Sequence, residues 1–259
     1  MPSMNLGRQE ITYIDTGGEK TVLLILPDNL HSSSAYRGEI EFFSEKFRVL
    51  SLDYPGTGKS SREVLYNDER ELDLWDNRSD FAMHLLLELG IKSCCVMASG
   101  FASLSALYFA GYHAKLHDFE IKGVVADSFL SRMDMLTLHR ILDRREHFYV
   151  RREKMLREEH GNDWRKVVDS DTLFLRTMAN RGGYELPFHV IKSIRCPVLL
   201  TGSLCDPVTN GIADDYSRMS SMIGDCFVFL SSGVEHPFMW KDPEAFRLVT
   251  ELFFVRALR

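Results

Sequence analysis

The sequence predicts a doubly wound, mostly parallel α/β sheet, interrupted once by an inserted helical cap. Three observations carry that prediction. Short runs such as Thr21–Leu26, Arg48–Leu52, Ile121–Ala126 and Pro197–Gly202 are apolar almost throughout, which suits strands covered on both faces. Helix-period segments alternate with these runs, the pattern of repeated strand–helix–strand units. Between about residues 129 and 191 the strand signals stop, charged helical segments take over, and the sheet pattern then resumes. Residues 1–128 and 192–259 are therefore assigned to a core, and 129–191 to the cap.

Taken in order, Gln9–Asp15 alternates in polarity, and Gly17-Gly18 suggests a hairpin turn into Thr21–Leu26. A loop over Pro27–Ser34 precedes a helix over Tyr36–Lys46 and a buried strand at Arg48–Leu52 that ends on Asp53. Leu72–Leu89 has the spacing of an amphipathic helix stopped by Gly90. Ser93–Met97 reads as a buried strand and Ala102–Ala110 as a helix. Helical segments are expected in the cap at Asp134–His147, Arg151–His160 and Trp164–Asn180, their Arg/Glu runs mainly solvated, with one Arg facing a ligand. Strands at Pro197–Gly202 and Cys226–Leu230 and a helix over Pro243–Leu258 close the chain.

Composition narrows the class. The chain has 259 residues, 45 % apolar and 26 % charged, enough for a sizeable core. A net charge of −6 leaves no electrostatic footprint for nucleic acid or an anionic membrane. The first residues, Met1-Pro2-Ser3-Met4-Asn5, have neither the basic nor the apolar region of a signal peptide, and no apolar run reaches membrane-spanning length. The five cysteines, an odd number without metal-ligand spacing, argue against a disulfide framework. A cytoplasmic protein with a small-molecule partner and neither cofactor nor metal is expected; the oligomeric state is left open. Gly56-Thr57-Gly58-Lys59-Ser60 ends like a phosphate-binding loop but lacks the glycine that should stand at Asp53.

Residues 93–110 hold the chemistry. A strand, a turn of small residues (Ala98-Ser99-Gly100-Phe101-Ala102) and a helix form the context of a nucleophile elbow, whose strained turn needs small neighbours two residues either side of its apex. Centring on Gly100 puts Ala98 and Ala102 there. Centring on Ser99 puts Met97 and Phe101 there, which is sterically worse. The better register therefore has glycine where the attacking hydroxyl belongs.

With these residues in view, the chain resembles the α/β-hydrolase superfamily, its cap resembling that of small biphenyl-hydrolase-like esterases. Asp53-Tyr54-Pro55-Gly56-Thr57-Gly58-Lys59-Ser60 is similar to the superfamily's Asp-x-x-Gly-x-Gly-x-Ser turn. Asp206-Pro207, after the strand at Pro197–Gly202, resembles the acid loop, and His236, seven residues before Pro243-Glu244, the histidine loop. The resemblance implies Asp206 as acid, His236 as base, and an oxyanion donor from Phe101; Asp127, also at a strand end, is a fallback acid. It departs at the loop after the third strand, where Pro27-Asp28, followed by Asn29, stands in place of the usual His-Gly: proline lacks an N–H, and a carboxylate disfavours a neighbouring oxyanion unless it points away, so the second oxyanion donor falls to Asn29 or Asp28. Three readings follow. One is a hydrolase of a small ester, amide or lactone through Ser99, Asp206 and His236, with the elbow re-registered. Another is an enzyme using the His–Asp pair as general base. The third is a non-catalytic binding protein that lacks the nucleophile at Gly100. His31 is expected at the surface, Cys94 and Cys95 as inert core, and Cys205 as an unreactive loop thiol.

Overall fold

The computed structural model of the protein describes residues 1–62 and 74–259. Eight strands form one sheet: β1 (Ser3–Leu6), β2 (Gln9–Asp15), β3 (Val22–Leu26), β4 (Arg48–Leu52), β5 (Ser93–Ser99), β6 (Glu120–Asp127), then β9 (Val198–Ser203) and β10 (Cys226–Ser231). Two further strands, β7 (Arg132–Asp134) and β8 (Gly183–Glu185), pair only with each other, antiparallel. The order in the large sheet is β1-β2-β4-β3-β5-β6-β9-β10. From β4 onward every neighbour is parallel, while β1 and β2 are antiparallel. The hairpin expected between Gln9–Asp15 and Thr21–Leu26 does not form. β4 lies between them, because β3, buried along its whole length, satisfies both edges with the parallel strands β4 and β5.

The pleat sorts side chains between two cores. Leu24 and Leu26 of β3, with Cys94, Val96 and Ala98 of β5, pack toward α2 (Leu74–Glu88) and α3 (Ala102–Tyr108). Leu23 and Ile25, with Cys95 and Met97, pack on the opposite face toward α1 (Arg37–Ser44) and a C-terminal helix over Pro243–Ala257. Because side chains alternate along a strand, the parity of β5 assigns Ser99 to the second face, a point on which the site turns. Of the helix expected over Leu72–Leu89, the first two positions lie outside the described residues. α3 runs on through a π-helical turn at Phe109–His113 into α4 (Ala114–Leu116).

The insertion is built mainly from α5 (Met135–His160) and α6 (Trp164–Asn180). α5 is one helix of 26 residues rather than two, since nothing between His147 and Arg151 breaks it. Its N-terminus is capped by the Asp134 carboxylate, which accepts from Thr137 N at 2.8 Å. Leu30 of the core packs with Tyr149, Leu156, Trp164, Val167 and Val168 in a small apolar cluster of the insertion. The end of α5 is fastened to two core loops: His160 accepts from Gly58 N at 2.8 Å and reaches Leu30 O at 2.8 Å. Burial lowers the pKa of this histidine, more than Glu159 raises it, consistent with a neutral ring that accepts at one nitrogen and donates at the other. The chain then passes through α7 (Phe188–Ser193), β9, α8 (Ile212–Ser220), β10, α9 (Phe238–Lys241) and the final helix, α10.

The Asp53–Ser60 turn is structural. Asp53, 1 % exposed, accepts from Ser33 N at 2.8 Å, Ser33 Oγ at 2.7 Å and Lys59 N at 2.8 Å. Gly58, at φ +53°, lies against that carboxylate, where any Cβ would collide with it. Replacing Asp53 by alanine leaves two buried donors and the partly buried Lys59 N–H unpartnered, costing about 2–4 kcal/mol. Thermal unfolding followed by circular dichroism should show Asp53→Ala melting about 5–10 °C below the parent; a change within about 1 °C contradicts this account of the turn.

Candidate active site

Gly100 has φ +65°, the left-handed conformation glycine adopts without a steric penalty, and its N–H donates to Asp127 O at 2.9 Å. It stands at the apex between β5 and α3. The register centred on Ser99 is not the one the backbone adopts. Ser99 follows the parity of Cys95 and Met97, is 2 % exposed, and donates to Asp127 Oδ2 at 2.7 Å. Asp127 also accepts from Thr201 Oγ1 at 2.8 Å and Met239 N at 3.2 Å. Burial pushes its carboxyl up to about 6 against those hydrogen bonds. Asp127 therefore braces the back of the elbow.

His236 and Asp206 meet as expected, with Nδ1 2.7 Å from Asp206 Oδ2. Two devices position the acid: Val208 N donates to its other oxygen at 2.8 Å, and β9 delivers the loop at the sheet's C-terminal edge, where open α/β sheets place their sites. Burial opposes ionisation of Asp206, but the hydrogen bond and charge of His236 outweigh it and hold the carboxyl below its usual range. Burial likewise opposes the imidazolium of His236. The Asp206 hydrogen bond and charge outweigh it, helped by Asp28 and Asp127, and the pKa is raised.

The unexpected feature is Asp28. A Cβ built on Gly100 would lie 2.6 Å from Asp28 Oδ2 and 3.0 Å from its Cγ. The carboxylate thus fills the volume an apex side chain would take, and its other oxygen accepts from Ala102 N at 3.1 Å. Tyr36 anchors the loop by accepting from Asp28 N at 3.0 Å. Burial raises the Asp28 pKa, with the charges of His31 and His236 pulling it back. Asn29 is gripped by Arg78, which donates to its side-chain and main-chain oxygens at 2.8 and 3.0 Å. Its Nδ2 finds no partner among the described residues.

Asp28, Asn29, Gly100, Phe101 and His236 face one cavity of about 330 Å³ between the sheet edge and the insertion. Phe129, Leu130, Met133 and Tyr184 give it an apolar wall. Arg140, Arg144 and Arg145 of α5 line it too, three arginines where the sequence led us to expect one. Arg145 pairs with Asp171 and Tyr149, whereas the exposed Arg140 and Arg144 stand one turn apart. Their spacing of four residues was the available signal, obscured because the segment's charges read as a solvated face. His31 is buried, not superficial: its Nδ1 lies 3.2 Å from Glu159 Oε1 and its ring stands edge-on to Trp240 at 5.0 Å. Cys205 is exposed and donates to Ser232 O, and burial raises the pKa of Cys94 and Cys95, keeping both as thiols.

No protein-family model and no curated protein matches the chain. Solved structures match it over nearly its full length. A bacterial membrane phospholipase A described as a virulence factor is 16 % identical, with a TM-score of 0.78, covering 100 % of this chain and 86 % of its own. The α/β-hydrolase enzyme MGS-M2 from a Medee basin deep-sea metagenome library is 16 % identical at TM-score 0.76, covering 98 % and 97 %. The enol-lactonase of Burkholderia xenovorans LB400 is 14 % identical at TM-score 0.71, covering 98 % and 100 %. The chain has the α/β-hydrolase fold. Among the described residues, no helix is long and apolar enough to cross a membrane.

The raised His236 pKa fixes a sign. Its imidazolium–Asp206 pair adds stability that is complete below the ordinary histidine value of about 6.5 and lost as pH rises through the folded value. An NMR titration of the His236 ring should give a midpoint above about 6.5, and Asp206→Asn should lower it. A midpoint at or below the ordinary value contradicts the pairing.

Proposed function

We propose that this protein is an enzyme that hydrolyses a small ester or lactone by general acid–base catalysis, without an acyl-enzyme. The observation that carries the reading is the pairing of His236 with Asp206 across the cavity from a carboxyl group, Asp28, that occupies the nucleophile's volume. Glycine at the apex supplies no attacking group, and Ser99 is committed to Asp127. What remains is a base with a fixed tautomer: Asp206 holds Nδ1, leaving Nε2 to take a proton.

In this reading, Nε2 removes a proton from water, and the resulting hydroxide attacks the substrate carbonyl. Protonated Asp28 donates a hydrogen bond to the oxyanion rather than repelling it, and burial raises its pKa in that direction. Asn29 Nδ2, buried and unpartnered among the described residues, supplies a second donor. Collapse of the intermediate breaks the bond to the leaving oxygen, and His236 returns its proton there. The apolar wall suits a compact acyl or ring portion, and Arg140 with Arg144 suits an anionic substituent. Hydrolases of similar fold, among them an enol-lactonase, lend this class its precedent by analogy.

The test is a panel of small esters and lactones with and without a carboxylate. The expected profile of rate against pH rises as His236 loses its proton, because the basic form of His236 is required. His236→Ala should lower the rate at least about 100-fold, and Ser99→Ala should leave it within about threefold. Loss of activity in Ser99→Ala, with the fold intact, overturns the reading. So does a serine acyl adduct detected by mass spectrometry.

A further inference from the structure

Away from the cavity, α2 carries Asp76, Asp80 and His84 at intervals of four, stacked on one face. The neighbouring stretch presents His113, the last residue of the π turn, and His117, just past α4. None of the five lines the cavity. One ligand atom each from Asp80, His113 and His117 lies within 4.8 Å of the others. His84 Nε2 stands 3.5 Å from Asp80 Oδ1, and its ring is 5.7 Å from that of His117.

His113 offers a ligand atom. Its side chain is 5 % exposed, and Nε2 lies 2.7 Å from Asp76 Oδ1. An ionised carboxylate only accepts, so in the neutral ring Nε2 carries the proton. That leaves Nδ1 with its lone pair, and it has no hydrogen-bond partner among the described residues. It faces Asp80 Oδ1 at 3.5 Å. A neutral ring nitrogen and a carboxylate held in that way repel each other unless a second proton on Nδ1 or a metal ion stands between them. Ligands of a tetrahedral zinc ion, each about 2.0–2.1 Å from the metal, lie about 3.4 Å apart. The spacing is that of two ligands of one ion.

We propose that Asp80, His113 Nδ1 and His117 bind a zinc-class transition metal ion, with His84 as the fourth donor. Asp76 is the outer partner that fixes the His113 tautomer and ring, as carboxylates do behind metal-ligating histidines. The imidazole-rich set suits Zn(II) and its neighbours rather than Mg(II) or Ca(II), which prefer oxygen. The ion joins α2 to the far end of the elbow helix. At the other end of α2, Trp75 stacks on Phe101, a residue of the cavity wall, at 5.9 Å. Its role is therefore to clamp the two helices that carry the elbow.

The experiment uses the full chain, stripped with EDTA and returned to metal-free buffer. Titration calorimetry with ZnCl2 should find one equivalent bound with Kd of about 1 µM or tighter, and the melting temperature should rise with zinc. Co(II) should give the intense visible bands of a tetrahedral site, and Mg(II) should not bind. Asp80→Ala and His117→Ala, both at partly exposed positions, should each weaken zinc binding at least about tenfold, while the metal-free variants keep the parent's circular dichroism. His84→Ala should weaken binding less. No heat and no thermal shift at about 100 µM zinc overturns the proposal. Binding unaffected by both Asp80→Ala and His117→Ala overturns it as well, because the ion would then sit elsewhere.

Discussion

The site depends on one close approach, the Asp28 carboxylate against the Cα of Gly100. The apex must be glycine for the carboxylate to lie there, since a Cβ would stand 2.6 Å from Oδ2. The carboxylate in turn has a reason to lie there, because Ala102 N offers it a hydrogen bond at 3.1 Å. Each half of the substitution accounts for the other. Glycine at the apex and the carboxyl group in the loop after β3 are one arrangement in physical terms: no side chain stands at the turn, and that of Asp28 fills the space from the facing loop.

Much of the surrounding structure holds that approach in place. Tyr36 anchors the Asp28 main chain and Arg78 the Asn29 side chain. Asp53 ties the loop to the turn after β4, and His160 brings the end of α5 down onto both. Behind the elbow, Asp127 collects Ser99, Thr201 and Met239. The pocket is thus a rigid cradle whose titratable groups differ by environment. His236 and Asp206 are coupled to each other, while Asp28 is shifted chiefly by burial.

The core of the fold was legible in the sequence because parallel strands buried on both faces leave uninterrupted apolar runs. Arg48–Leu52 matches its strand residue for residue, and His236 and Asp206 were brought to light by the spacing of their loops. Other features depend on tertiary context. The pairing of β2 with β4 is a long-range choice of edge that no local turn signal encodes. The single helix from Met135 to His160 reads as two segments in the sequence, although no breaking residue separates them. The place of Asp28 follows from a loop folding across the elbow, and the Asp–His cluster from two helices lying side by side. In each case the residues were plain but their neighbours were not.

The central claim is that Asp28 holds the volume a side chain at position 100 would need, and the kinetics of labelling by a fluorophosphonate test it most directly. On this account Gly100→Ser alone reacts slowly, because the new side chain meets the Asp28 carboxyl group, which occupies the volume it needs. Gly100→Ser combined with Asp28→Gly should react at least about tenfold faster, and His236→Ala should abolish that gain. Equal rates for the single and double variants, with both folded, would contradict the account.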